Sequence, residues 1–398
     1  MSNNQNPADR GADRLSLVPF SGIRRVFDAV KKLEDEGRDI IHWQIGRTDF
    51  DTPENIKAAA AESLAKGNVH YSPNRGVPVL RNAIAKRAAL DNGISIDPDT
   101  QVIVTAGANE GILISIMAFI NPGDEVIIPN PNWHHYKSIV SLAGGVPVEV
   151  ETFGSENFSL KAERIAERIS PRTKMICVTS PGNPTGCTET EGNLKAIAEL
   201  AIKHNLIVIS DEIYNRIYFG GGETSPSIYS IPGMAERTIV VNGFSKTYSM
   251  DGWRLGWTVA SPELSTHLLK IRQYTTVCVN TFIQHGAAAG LAGDQTLIAE
   301  RIAEFGERRK IIVEGLQDIP GVTLAMPDGA FYAFPDISSF GKTSQEVADY
   351  LLFEHGIATV AGSVFGSAGE GHIRIAYSCS TEECRKGMAR LKEALAAL

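Results

Sequence analysis

Between residues 101 and 260 short apolar runs recur at intervals along the chain. They are Gln101–Thr105, Glu125–Pro129, Val146–Val150, Met175–Thr179, Ile207–Ser210, Thr238–Val241 and Gly256–Ala260. Most are rich in Val and Ile and show little alternation with polar residues. That is the pattern of strands buried on both faces. Stretches with helical spacing lie between several of them, for example Glu110–Ile120, His135–Ala143 and Thr190–Lys203. The alternation predicts a largely parallel sheet with helices on both faces. In such sheets ligands bind beyond the carboxyl ends of the strands, so the loops that follow strands are the places to look for chemistry.

From about Phe282 the pattern changes. One long helical stretch is expected over Gln284–Leu316, then extended segments at Val322–Met326 and Ala330–Pro335. A helix near Ser344–Glu354, a strand at Ile373–Tyr377 and a last helix from Thr381 complete it. This predicts a smaller α+β domain, with a helix near Ser21–Glu36 packed on it. The expected division is a loose tail over 1–14, an N-terminal segment over 15–48 that packs on the small domain, a large domain over 49–284 and a small domain over 285–398. A chain of 398 residues exceeds the usual single core, which agrees with two domains.

Composition narrows the function classes. The net charge of -8 argues against a nucleic-acid partner. No apolar run approaches the length of a membrane span, and the polar start, Met1–Arg14, lacks the apolar core of a signal peptide. The five cysteines form no C-x-x-C pair and are odd in number, so neither a disulfide framework nor a zinc site is expected. They read as reduced thiols of a cytoplasmic protein.

Several loops after strands carry chemistry. Asn242-Gly243-Phe244-Ser245-Lys246-Thr247 follows the run Thr238–Val241, and Asp251-Gly252-Trp253-Arg254-Leu255-Gly256 comes soon after. An amine can form an imine with an aldehyde, and a guanidinium can hold a phosphate by two parallel hydrogen bonds. Pyridoxal phosphate carries both groups. Thr105-Ala106-Gly107-Ala108-Asn109-Glu110 reads as a strand end, small residues and a helix start, which is either a phosphate site or a turn built for packing. Asp211, past an apolar strand, could pair with a protonated pyridine nitrogen, with Tyr214 reaching the ring hydroxyl. The alternative is a helix-capping aspartate and a packed tyrosine. Asn183, in Ser180-Pro181-Gly182-Asn183-Pro184-Thr185-Gly186, could grip a ring hydroxyl and a carboxylate, or simply make an Asn-Pro turn. Trp133 could stack on a planar ring or fill the core. Arg374, inside an apolar strand, needs an anionic partner, either a substrate carboxylate or a structural acid.

Taken together, Asn183-Pro184-Thr185-Gly186, Asp211-Glu212-Ile213-Tyr214 and the stretch from Ser245-Lys246 to Gly256 resemble the class I/II aminotransferases, the aspartate aminotransferase-like enzymes of pyridoxal-phosphate fold type I. The resemblance runs from Gly46-Arg47-Thr48-Asp49-Phe50 to Arg374. It implies an α/β fold, with a large domain built on a mostly parallel sheet and a smaller α+β domain. It implies amino transfer from an L-amino acid to a 2-oxo acid, such as 2-oxoglutarate or pyruvate, by ping-pong chemistry. A β-lyase or another quinonoid-forming enzyme is the alternative on the same scaffold. Lys246 is implied as the Schiff-base lysine and proton carrier. Arg254, Ser245, Ala108 and Asn109 are implied at the phosphate, Trp133 over the ring, Asp211 at the pyridine nitrogen, and Asn183 and Tyr214 at the ring hydroxyl. Arg374, Asn183 and Gly46 would bind the α-carboxylate. Tyr71 would reach the phosphate of a second subunit, which requires a homodimer with shared sites. Three positions depart from the family pattern: Gly243 replaces a hydroxyl residue, Arg47 adds a cation, and Asn109 stands where a lysine is frequent.

Overall fold

The computed structural model describes residues 11–398. Most of the expected tail therefore lies outside the described residues; Asp13–Leu17 form a short 3-10 turn. A helix α1 (Gly22–Asp35) and a two-residue strand β1 (Ile41–His42) follow. The large domain begins with α2 (Glu54–Ala65) and α3 (Pro78–Asn92). Next come β2 (Val102–Thr105), α4 (Ala108–Phe119), β3 (Glu125–Asn130), α5 (His135–Leu142) and β4 (Val146–Glu151). They are followed by α6 (Ala162–Arg168), β5 (Thr173–Thr179), α7 (Glu191–Lys203), β6 (Ile207–Asp211), β7 (Thr238–Gly243) and β8 (Gly256–Val259).

These seven strands form one sheet in the order β2-β8-β7-β6-β5-β3-β4. Pairing is parallel except at β8, which is antiparallel to both β2 and β7. The sheet is thus mixed at one side rather than parallel throughout. The apolar runs have no polar alternation because both faces are covered. Val126, Ile128, Cys177, Ile209 and Ile239 join Ile112 and Ile116 of α4 in one cluster. Their neighbours Ile127, Ile176, Val178 and Val208 point the other way, onto Leu194 and Ile197 of α7. Each such side chain, fully buried, contributes about 1.5–3 kcal/mol of transfer free energy.

Two helices, α8 (Pro262–Arg272) and α9 (Thr281–Ala292), close the large domain. The stretch expected as one helix over Gln284–Leu316 is two, α9 and α10 (Thr296–Gln317). The break is local. Asp294 Oδ1 accepts from Thr296 N at 3.0 Å and from Thr296 Oγ1 at 2.7 Å, which starts α10 afresh after an extended Gly293. The segment Val322–Met326 forms no strand. A single bridge, Thr323 to Asp336, is all that pairs there.

The smaller unit contains α10, β9 (Tyr332–Ala333), α11 (Ser344–Phe353), β10 (Ile357–Ala358), β11 (Val360–Ala361), β12 (Ile373–Ala376) and α12 (Thr381–Ala396). Its three-stranded sheet runs β11-β12-β9, all antiparallel. β1 pairs with β10 in parallel, Ile41 opposite Ile357, and Val30 and Leu33 of α1 pack with Leu352 and Ala358. The N-terminal segment is therefore joined to this unit by strand pairing as well as by apolar contact.

Candidate active site

The parallel strands end on one edge, and the loops beyond that edge hold the polar residues of the cavity. Asp211 is the last residue of β6, and Lys246 lies three residues past the end of β7. Trp133 follows β3, Asn183 follows β5, and Ala108 opens α4 after β2. Arg254 precedes a strand instead of following one. It still reaches the same edge, because β8 runs antiparallel and begins where its neighbours end. These residues line one cavity of about 490 Å³, with Gly46, Arg47, Tyr214, Ser245 and Arg374.

Lys246 Nζ donates to the carbonyl of Gly46 at 2.6 Å and lies above the rings of Tyr214 and Phe331 at 5.7 and 5.9 Å. The segment before it is anchored by Phe244, which is buried against Trp257 and Tyr248. Burial lowers the Lys246 amine from 10.5 to about 8; Asp251 opposes the shift, and Arg374 and Arg254 add to it. The loop bearing Gly46 is fastened to the lysine loop. Thr48 Oγ1 donates to Ser249 Oγ at 2.9 Å, and Thr52 Oγ1 to the Ser249 carbonyl at 2.7 Å. Arg308 holds the next residue, Asp49, by two bonds of 2.6 and 2.9 Å. Gly46 itself has no room for a side chain, since a Cβ there would lie 2.2 Å from Tyr332 Oη.

Asp211 is buried, and no helix follows it, so it caps none. Its Oδ2 accepts from Tyr136 Oη at 2.5 Å and its Oδ1 from Ile213 N at 3.2 Å. Burial raises its carboxyl above the ordinary range; those two bonds and Lys246 hold it back. Tyr214 Oη pairs with Tyr332 Oη at 2.8 Å. Burial, with the neighbouring Tyr332, pushes the Tyr214 phenol well above its usual range, so it stays protonated and can donate.

Three guanidiniums, those of Arg47, Arg254 and Arg374, line the cavity without a carboxylate partner among the described residues. Arg254 donates to the Asp251 carbonyl at 2.7 Å and lies against the turn into α4. Gly107 (φ +80) makes that approach possible, for a Cβ there would sit 2.7 Å from Arg254 Nη2. Free N–H groups at the start of α4 and this guanidinium together form an anion site. Arg374 is buried. Its Nη2 donates to the Gln44 carbonyl at 2.7 Å and its Nη1 to Asn183 Oδ1 at 3.2 Å, while its Nε has no partner. A buried cation bonded only to neutral oxygens retains capacity for a carboxylate. The arrangement thus offers a half-buried amine that can lose its proton near pH 8, two separate anion sites and a buried carboxylate.

All the residues singled out in the sequence line this cavity except Tyr71 and Gly243, the last residue of β7, which lines a different pocket. Tyr71 is 89% exposed and lines a separate depression with Val69, His70 and Cys278. Tyr136 and Tyr332 escaped the sequence reading. Both lie far along the chain from the residues they touch, and neither sits in a loop of unusual composition.

The sequence profile of the family described as "Aminotransferase class I and II" matches residues 38–391. The chain belongs to the class I and II aminotransferases. The aspartate aminotransferase of Pyrococcus abyssi is 41% identical over 96% of this chain and 98% of its own length. The aromatic-amino-acid aminotransferase 2 of Thermococcus litoralis is 39% identical over the same shares. Among solved structures, the aspartate aminotransferase of Thermus thermophilus with maleate matches with a TM-score of 0.91 at 34% identity, covering 97% of this chain and 100% of that one. This aminotransferase therefore shares both fold and length with those enzymes. Among its described residues no helix is long and apolar enough to cross a membrane.

Proposed function

We propose that the cavity holds pyridoxal 5′-phosphate and that the enzyme uses it to move an amino group from an L-amino acid to 2-oxoglutarate or pyruvate. The observation that carries this reading is the meeting of Lys246, Asp211, Arg254 and Arg374 in one cavity of about 490 Å³, a size usual for small-ligand sites. The residues fit the group. A flat ring needs an aromatic neighbour, its phosphate needs donors, and its pyridine nitrogen needs an acid; Trp133, Arg254 with the α4 start, and Asp211 supply these types.

When bound, pyridoxal phosphate supplies an electron sink for a carbanion at the substrate Cα. In this reading Lys246 would hold the cofactor through its amine and, once the incoming amino group has displaced that amine, would carry the proton taken from the substrate Cα. Asp211 keeps the pyridine nitrogen protonated, and Asn183 and Tyr214 bond the ring oxygen. Ala108, Asn109, Ser245 and Arg254 hold the phosphate. Arg374, with Asn183 and Gly46, grips the α-carboxylate and so sets which Cα bond stands across the ring.

The amine chemistry has a measurable signature. In cofactor-free enzyme, labelling of Lys246 by trinitrobenzenesulfonate is expected to rise with pH and to reach half its maximum near 8, against 10.5 for an ordinary lysine. The folded state disfavours the ammonium, so this residue's stabilising contribution is present above 10.5 and is lost as pH falls through 8. Labelling that rises only above pH 10 would show that burial does not set this amine.

The donor is proposed to be acidic or aromatic, as in the names of the two relatives. Arg47 supports the acidic case: it is exposed, lines the cavity and makes no ion pair among the described residues. The deciding experiment is a donor screen. Enzyme loaded with pyridoxal phosphate is expected to absorb visible light, to lose that band with a productive L-amino acid, and to regain it with the oxo acid. No visible band and no transfer would end the reading. Pyruvate and ammonia released from a β-substituted amino acid without an acceptor would favour a lyase. If Arg47→Ala leaves the ratio of kcat/KM for acidic and neutral donors unchanged, the role of Arg47 falls.

A homodimer with shared sites is also proposed. Tyr71 lies away from its own cavity, and Val69, Tyr274 and Val277 are exposed too, at 57%, 89% and 48%. Exposed apolar side chains of this kind suit a partner surface. A cytoplasmic setting is proposed from the cysteine pattern, five residues with no C-x-x-C pair.

A further inference from the structure

His135 is not among the residues that line the cavity, yet it touches two that do. Its ring stacks on the indole of Trp133, with centroids 3.9 Å apart and planes inclined by 16°. Its Nδ1 lies 3.0 Å from Asn109 Oδ1. One side chain, at the first turn of α5, thus joins the loop after β3 to the first turn of α4.

The bond has a direction. An amide oxygen only accepts, so the Nδ1 of His135 carries the proton. Burial, together with the neighbouring His134, lowers His135 to about 4, which keeps the ring neutral in ordinary buffers. With Oδ1 committed to His135, Asn109 keeps only Nδ2, a pure donor, for whatever occupies the cavity. A free amide turned by half a rotation would offer its oxygen instead, and an oxygen repels an anion. The stack has a parallel consequence. One face of the indole is covered by His135, and Trp133 meets a ligand with the other.

We propose that His135 is a positioning residue for the cofactor, holding the Asn109 amide with its donor toward the phosphate and backing the Trp133 indole against the ring. The proposal rests on the reading of the cavity as a pyridoxal-phosphate site. The stacking residue and the phosphate donor are then set by one imidazole, so their contributions to binding are coupled.

The test is equilibrium dialysis of pyridoxal phosphate against cofactor-free wild-type enzyme, His135→Ala, His135→Phe, Asn109→Ala and the double variant His135→Ala/Asn109→Ala. His135→Ala is expected to raise Kd by about tenfold, the sum of a stacked aromatic pair and one oriented hydrogen bond. His135→Phe keeps the stack without the bond and is expected to fall between wild type and His135→Ala. The double variant is expected to weaken binding by less than the product of its two single effects. Visible circular dichroism of the bound cofactor is expected to shrink in His135→Ala, a change that a merely structural role would not produce. A wild-type Kd in His135→Ala overturns the proposal, as do independent effects in the double variant. Full restoration by His135→Phe overturns the amide part. If His135→Ala does not fold, the comparison of His135→Phe with wild type decides: equal Kd values refute the amide part, and a rise in His135→Phe supports it. Failure of the wild type to bind pyridoxal phosphate defeats the cofactor reading itself, an outcome distinct from all of these.

Discussion

Lys246→Ala is expected to lower kcat for amino transfer by at least about 10⁴-fold. The residue combines two proposed tasks, covalent attachment of the cofactor and carriage of the Cα proton, and nothing else in the cavity offers an amine. Among the other residues that line it, nitrogens belong to guanidiniums, amides, an indole and the backbone. Guanidiniums stay charged at working pH and cannot substitute. The fold is expected to survive, because the lost side chain is a half-buried amine whose charged form is disfavoured there. Borohydride treatment of loaded wild type should leave the cofactor mass on the peptide that contains Lys246, and the variant should carry none. A variant that keeps kcat within about tenfold of wild type would remove the basis of the proposed chemistry.

Arg374→Met is expected to cut kcat/KM by about 10²–10³-fold for amino acid and oxo acid alike, because truncating one partner of a buried charge pair typically costs 2–5 kcal/mol. The effect should be similar for both half-reactions, since both substrates present the same α-carboxylate. Without substrate the guanidinium is buried with only two neutral oxygens and the faces of Tyr332 and Phe365 for company. Its desolvation is not repaid by an anion, so removing it is expected to leave the melting temperature close to that of wild type. Loss of activity together with loss of the thermal transition would instead mark Arg374 as structural. The predictions for Lys246 and Arg374 are separable. The first should abolish turnover at any substrate concentration, while the second should appear largely in KM.

The large sheet was legible because strands buried on both faces leave continuous apolar runs. The run ending at Ser210 is one residue short, since β6 takes in Asp211. A carboxylate looks like a strand end in sequence, yet here it pairs within the sheet while Tyr136 and Ile213 satisfy its oxygens. The break between α9 and α10 was not legible. Gly293-Asp294-Gln295 is compatible with helical spacing, and only the turn of Asp294 onto Thr296 ends the first helix. Tyr136 and Tyr332 were invisible for a different reason. Tyr136 is 75 residues from Asp211, and Tyr332 is 118 from Tyr214, so no local pattern links them.

By itself the order of residues determined the supply of chemical groups and the loops that carry them. Lys246 and Arg254 near one another, Asp211 after an apolar run and Asn183 in a Pro-Gly loop are facts of the chain. The tertiary structure alone decided three further matters. It turned β8 against its neighbours, which brings Arg254 to the edge where the other strands finish. It drew Lys246 partly out of water, and that desolvation lowers its amine to about 8. It set Tyr71 apart from the cavity of its own chain. Strand direction, desolvation and distance depend on which distant segments pack together, and that is a property of the folded volume, not of neighbours along the chain.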